Sequence, residues 1–271
     1  MSLLTAYVRS MQVRNLSPES IRKATGVLRA LERDTNHHLE HLTYDDVARW
    51  ISARSQVVSP GSLRVDLVWV RGCYRWAERE GRVKLDPTTR ILPPRVPRTL
   101  PRPIPEDRLQ LALDAADRRM RVVLALAGYL GLRAIEISRL SWSDVDLSAG
   151  RVRVFGKGSV EDVLDLSPEL CAILADLPTR RGPVVVRGDR QAGHNTASRV
   201  SQVANAHLHR HGVPDTLHSL RHRFGTQLCE VAGPEVAQRG LRHRNLSTTM
   251  GYVKVSDRRI RDALLAVGKP A

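Results

Sequence analysis

Residues 87–105 read PTTRILPPRVPRTLPRPIP and hold seven of the 15 prolines of the chain. Proline fixes φ and has no amide donor, so a run this dense favours extended polyproline backbone that neither a helix nor a central strand absorbs. The stretch reads as a linker between residues 1–86 and residues 106–271, and each of those segments is long enough to bury a core of its own.

Before the linker, helix punctuation is dense. Ser17-Pro18 and Ser59-Pro60 each set an N-cap ahead of proline at the first helical position, Thr43 with Asp46 resembles a capping box, and Gly81 can close the last helix. Four helices are predicted, over about 2–14, 18–34, 44–54 and 60–80, with Leu63, Leu67, Val70 and Tyr74 on one apolar stripe of the last. After the linker the pattern is mixed. Helices are expected near 105–117 and 119–131; RVRVF at 151–155 then alternates with period two, and VEDVLDL at 160–166 returns across GKGS as an antiparallel partner. The apolar run Val184 to Val186 is expected to add a third strand. Helices resume near 168–177, 195–211 and 218–232, and a last amphipathic segment near 257–266 carries Ile260 and Leu264. The expected fold is mainly α with a small antiparallel β-sheet: a small helical domain, a proline-rich strap, and a larger, mostly helical domain.

Composition narrows the partner. The chain has 271 residues, a net charge of +15 and a pI near 10.8, and the excess is spread evenly, +7 over residues 1–100 and +8 over the rest. Nucleic acid is the default partner for such a balance; a plain basic surface on an arginine-rich chain is the alternative. With 42% apolar and 26% charged residues, disorder is excluded. The longest uncharged apolar run, Val122 to Leu132, is bounded by Arg121 and Arg133 and falls short of the roughly 20 residues of a membrane span. The opening MSLLTAYVRS has no export signature, so a cytoplasmic location is expected. Cys73, Cys171 and Cys229 are odd in number and far apart, which fits neither a disulfide framework nor a thiolate metal pair. His207, His209 and His211 are rotated by about 200° from one to the next on a helix, so no metal site is expected there.

Several residues could carry chemistry. In HSLRH, His218 and Arg221 share a face if the segment is helical and could grip a phosphate; a solvated basic helix start is the bland alternative. Arg133, in GLRAIEI, directly follows an apolar helix and sits at the edge of a core, either as a binding group or as a structural partner of Glu136. Lys157 lies between two glycines at a predicted hairpin tip, and it is the only lysine between Lys84 and Lys254 in a chain with 38 Arg and five Lys. Lysine can surrender a proton during a reaction and arginine effectively cannot, so the choice suits a general acid, although Gly-Lys-Gly is also an ordinary exposed turn. In LRHRNLSTTMGYVKV, residues 241–255, His243 precedes Tyr252, whose phenol becomes a nucleophile only where cations and a proton acceptor stabilise its charged form.

In order and spacing, Arg133, Lys157, His218-x-x-Arg221, His243 and, nine residues on, Tyr252 resemble the active-site set of the tyrosine recombinase family, the phage integrase and Xer group. GLRAIEI is similar to the family's first-arginine motif, GKG to its lysine hairpin, HSLRH to its histidine-arginine box and STTMGYVKV to the segment with the nucleophile. The departure is Arg242, where the family usually has glycine. The resemblance implies a four-helix, SAM-like core-binding domain and a C-terminal catalytic domain, and a site-specific recombinase that cleaves and rejoins double-stranded DNA through a 3′-phosphotyrosyl intermediate, without metal or nucleotide cofactor. Tyr252 would be the nucleophile, Arg133 and Arg221 would hold the non-bridging oxygens, His218 would take the tyrosine proton, His243 would bond the phosphate and Lys157 would protonate the leaving oxygen. It also implies a clamp of two lobes on DNA, a tetramer assembled through the C-terminal tail, and, in some members, a directionality factor. A start of the helical domain near residue 1 fits an integrase type without an arm-binding domain. The alternatives are a Xer-like resolvase of replicon dimers, a type IB topoisomerase and a non-catalytic DNA-binding protein of the same fold.

Overall fold

The computed structural model describes residues 1–97, 102–156, 161–185, 193–243, 249–252 and 265. Two compact units divide the chain, Met1–Arg98 and Thr99–Ala271.

The first unit is four helices: α1 (Leu3–Val13), α2 (Pro18–Thr35), α3 (Tyr44–Ser55) and α4 (Pro60–Arg79). Each begins where a side chain can satisfy an orphan amide. Ser17 and Ser59 accept from Ser20 and Ser62, and Thr43 and Asp46 close a reciprocal capping box. Gly81, at φ 66°, follows the end of α4. The stripe Leu63, Leu67, Val70 and Tyr74 is buried, and the Tyr74 hydroxyl donates to the Leu39 carbonyl at 2.8 Å. At the start of the proline-rich segment, Ile91 joins this core.

The second unit has α5 (Glu106–Asp114), α6 (Arg118–Gly128), α7 (Ala134–Arg139), α8 (Pro168–Ala175), α9 (Ala197–Arg210), α10 (Leu217–Ala232) and α11 (Pro234–Leu241), with strands β1 (Val145–Asp146), β2 (Arg151–Phe155) and β3 (Glu161–Asp165). At the other end of the proline-rich segment, the Ile104 amide donates to the Ser219 carbonyl at 3.2 Å and its side chain is buried in this core. The sheet is antiparallel in the order β1-β2-β3, with Arg151 opposite Asp165 and Phe155 opposite Glu161. Along β2, Val152 and Val154 face the core while Arg151, Arg153 and Phe155 face out. From Val122 to Gly128, α6 is buried on every side, so the longest apolar run of the sequence is the central core helix. Each of its valines and leucines contributes about 1.5–3 kcal/mol by leaving water.

The third strand is not the expected one. Val184 and Val185 are buried, but they are held by the Val184 amide on the Leu140 carbonyl and by a single bridge between Ser141 and Pro183; the strand added to the hairpin is Val145–Asp146. Residue 186 lies outside the described residues, as does almost all of 257–266. The short helices α7 and α11 were not expected from periodicity. Among the described residues, no helix is long and apolar enough to cross a membrane.

Candidate active site

Helix α10 is the axis of the site. Its start is fixed by Thr216 and Ser219, the Thr216 amide donating to Ser219 Oγ at 3.0 Å, and by Asn205 of α9, which accepts from the Leu217 amide at 2.8 Å. One turn in, Arg221 is 2% exposed, and its guanidinium donates to the Gly131 carbonyl and, at 2.6 Å, to the Leu241 carbonyl. Gly131 can be nothing else: its φ is +63° and a β-carbon would stand 2.3 Å from the Phe224 ring. Burial, then the charge of Arg133, lowers the Arg221 pKa to about 9, with Glu136 opposing, so it stays cationic at neutral pH.

Arg133 caps α7. Its amide and its Nη1 each lie 2.8 Å from a Glu136 oxygen, and Nη2 reaches the Arg242 carbonyl at 3.4 Å. Arg133 is a structural partner of Glu136 and, at 37% side-chain exposure, still presents a face to solvent. Glu136 is 1% exposed. Burial alone would raise its pKa, but the Arg242 charge and the bonds from Arg133 and Arg242 outweigh that and hold it low.

His243 follows α11, its amide on the Gln238 carbonyl at 3.0 Å and its Nδ1 3.0 Å from Thr249 Oγ1. Burial, followed by Arg221, Arg133 and Arg242, lowers its pKa to about 4. Tyr252 is 4% exposed and stacks on His243 with ring centroids 6.1 Å apart. Burial raises the phenol pKa while Arg221 and Arg133 pull it down.

The Tyr252 hydroxyl does not lie on the histidine the sequence singled out. His222 Nδ1 is 2.8 Å from Tyr252 Oη. Burial, then His218 and Arg221, lowers the His222 pKa to about 4, so the ring is neutral at pH 7 and can accept the phenol proton. His218 is solvent-exposed and packs edge-on against His222 at 4.2 Å between centroids; partial burial, then Arg221 and Arg133, lowers its pKa. The signal for His222 was present in HSLRH, since positions i and i+4 of a helix share a face and His218 and His222 are so spaced. Arg133, His218, Arg221, His243 and Tyr252 thus form one cluster, joined by Glu136, His222 and Arg242. Lys157 lies outside the described residues; the strands on either side of its segment are the paired β2 and β3.

Elsewhere, His207 and His211 do meet, 4.6 Å between centroids, but His207 Nε2 is engaged with the Ala112 carbonyl at 2.9 Å and His209 is exposed. Among the described residues no group of His, Cys, Asp and Glu is arranged to hold a metal ion.

Comparison with known proteins bears on the family and the fold. The model of the Phage integrase family matches residues 103–259, and that of the Phage integrase, N-terminal SAM-like domain matches residues 4–81. Tyrosine recombinase XerC of Pseudomonas entomophila (strain L48) is 31% identical over 253 residues, covering 83% of this chain and 84% of that protein. Tyrosine recombinase XerC of Mycobacterium sp. (strain KMS) is 30% identical over 294 residues, 96% of each. In fold, the chain is similar to a lambda integrase dimer bound to a COC′ core site, with TM-score 0.77, 17% identity, and coverage of 94% of this chain and 95% of that one. With both units matched and its cluster of arginines, histidines and tyrosine assembled in the second, the chain belongs to the phage integrase family and is a tyrosine site-specific recombinase.

Proposed function

We propose that the chain cuts and rejoins double-stranded DNA through a 3′-phosphotyrosyl intermediate, as a recombinase of integrase type, and that it works in the cytoplasm. The observation that carries the reading is a buried tyrosine hydroxyl 2.8 Å from a neutral histidine, beside two arginines that a phosphate would find already fixed in place. In the reaction Tyr252 Oη bonds to phosphorus as the bond to the 5′-oxygen breaks, and the phenol proton passes to His222. His218, packed against His222 and open to solvent, carries that proton onward. Arg133 and Arg221 hold the non-bridging oxygens and stabilise the charge of the transition state, and His243 donates to the same phosphate. Lys157 returns a proton to the leaving oxygen. The bond energy stays in the phosphotyrosine, so a second 5′-hydroxyl reverses the step on a new partner strand. Assembly into a tetramer through residues 257–266, with a directionality factor where the reaction is one-way, belongs to the same reading.

Tyr252→Phe is expected to bind target duplex and give no covalent protein–DNA adduct on a nicked suicide substrate; an adduct from the Phe variant would place the nucleophile elsewhere. Lys157→Ala is expected to slow cleavage by about 10²–10⁴-fold, the usual worth of a positioned proton donor. A bridging 5′-sulfur leaves as a thiolate and needs little protonation, so the variant and the wild type should cleave that substrate alike; a persisting defect makes Lys157 a backbone contact instead.

A second task for the same chemistry is that of a Xer-like resolvase of replicon dimers, kept as an alternative because relatives named tyrosine recombinase XerC match this chain. Footprinting on DNA flanking the chain's own gene separates the two: an integrase protects a site beside its gene, and a resolvase protects one remote from it.

A further inference from the structure

Arg242 stands where the family usually has glycine, and its backbone has φ 55°, a left-handed conformation that glycine takes freely and a β-carbon disfavours. Its side chain is only 6% exposed. Nη2 donates to Glu136 Oε2 at 2.9 Å and to the Gly131 carbonyl at 3.2 Å, and Nη1 donates to the Gly240 carbonyl at 2.8 Å. Its own carbonyl accepts from Arg133. Arg242 therefore touches the buried carboxylate, the carbonyl that also anchors Arg221, and Arg133 itself.

The two oxygens of Glu136 are shared out. Oε1 takes Arg133 Nη1; Oε2 takes the Arg133 amide and Arg242. Arg221 Nη1 is 3.9 Å from Oε2, at the outer edge of an ion pair, and its hydrogen bonds go to main-chain carbonyls instead. A buried carboxylate oxygen with spare acceptor capacity draws in the nearest cation, because an unpaired charge away from water is costly. Three guanidinium groups around one carboxylate also leave the cluster with a surplus of two positive charges, which matches the charge of about −2 that a phosphodiester and an attacking phenolate carry together in the transition state; with glycine at 242 the surplus would be one.

We propose that Arg242 is a positioning residue that occupies Glu136 Oε2, so that Arg221 is not pulled into a salt bridge and keeps its charge for the substrate phosphate. The inference rests on the phosphotyrosyl reading above.

The test measures single-turnover adduct formation on a nicked duplex carrying the footprinted site, together with duplex affinity and thermal melting, for wild type, Arg242→Gly, and Arg242→Gly combined with Glu136→Gln. Arg242→Gly is expected to slow adduct formation on the order of 10- to 100-fold, the usual effect of a displaced reacting group, with duplex affinity little changed. Adding Glu136→Gln removes the charge that captures Arg221 and is expected to restore most of the rate. A purely structural Arg242 predicts otherwise: glycine relieves the strained turn and leaves the rate alone, and a second change beside it helps nothing. A wild-type rate in Arg242→Gly, or a double variant no faster than the single one, overturns the inference. The same pair built on Arg242→Met, whose neutral side chain fills the space, carries the test if the glycine variants do not fold. A wild-type protein that binds the duplex and yields no adduct overturns the phosphotyrosyl reading itself, and the inference with it.

Discussion

The two units of the chain bury charge in opposite ways. In the first, Arg54 and Asp66 pair one to one at 2.6 Å, with the Arg54 guanidinium 5.4 Å above the Trp50 ring. In the second, Glu136 is met by Arg133, Arg221 and Arg242. A one-to-one pair balances its charge and needs no outside partner. A three-to-one cluster holds desolvated positive charge that folding alone does not reward, so it is best explained by an anion that arrives later. The second unit also contains the ordinary arrangement, Arg223 with Glu106, which sets Glu136 apart from its own surroundings.

Breaking each kind of cluster should give opposite phenotypes, and this is the largest expected difference. Arg221→Lys keeps the charge but loses the fork that spans the Gly131 and Leu241 carbonyls. It is expected to cut adduct formation by about 10²–10³-fold, as the loss of one transition-state donor does. Asp66→Asn is expected to lower unfolding free energy by about 1–3 kcal/mol, the cost of a buried charged hydrogen bond left unmade, with adduct formation per folded molecule unchanged. If Arg221→Lys cleaved at the wild-type rate, a cation at this position would suffice and the fork across the two carbonyls would have no part in the chemistry.

A smaller contrast lies in two helix–tyrosine approaches. A β-carbon at Gly72 of α4 would lie 2.9 Å from the Tyr7 hydroxyl, and one at Gly225 of α10 would lie 2.9 Å from Tyr252 Cε1. Alanine at either position overpacks the interior and is expected to cost about 1–3 kcal/mol. Only Gly225→Ala also displaces Tyr252, the proposed nucleophile, from His222, so it should slow adduct formation roughly tenfold or more while Gly72→Ala does not. Equal rates for the two would mean that the Tyr252 placement relaxes before reaction.

What was legible in the sequence follows from the same physics. The helices of the first unit could be read closely because Ser17, Thr43 and Ser59 are local signals, each complete within a few residues. Helices α7 and α11, of six and eight residues, are shorter than the window in which a 3.6-residue period shows. Val145–Asp146 is too short to alternate, whereas Val184 and Val185 are apolar because they fill a core and not because they pair as a strand. Arg133, Arg221, His243 and Tyr252 could be proposed from motif order, and the structure brings them together. His222 and Arg242 could not be assigned a task, because what defines them is a partner 30 or 106 positions away, a hydroxyl for one and a carboxylate for the other.

The smallest expected difference is in acid stability. His222 and His243 have pKa values of about 4 in the folded protein against about 6.5 in an unfolded chain. Between those values the unfolded chain binds more protons than the folded one, so the stability these rings contribute is fully present above pH 6.5 and is lost as pH falls toward 4. In the first unit the lowered groups are carboxylates. Asp46 is held down by the Thr43 amide and hydroxyl, and Glu19 by Lys23, so their contribution is present above the ordinary carboxylate range and is lost only as pH falls below it. At pH 5 the second unit should therefore have weakened while the first has not. Hydrogen exchange at pH 7 and pH 5 reads this directly: protection in α10 and α11 should fall relative to α2 and α4, and equal losses in both units would contradict the placement of the two histidines. The same values put the acid limb of single-turnover cleavage nearer pH 4 than pH 6.5, because on the proposed route His222 is neutral when it receives the Tyr252 proton. An acid limb at 6.5 would instead assign that proton to a histidine in ordinary contact with water.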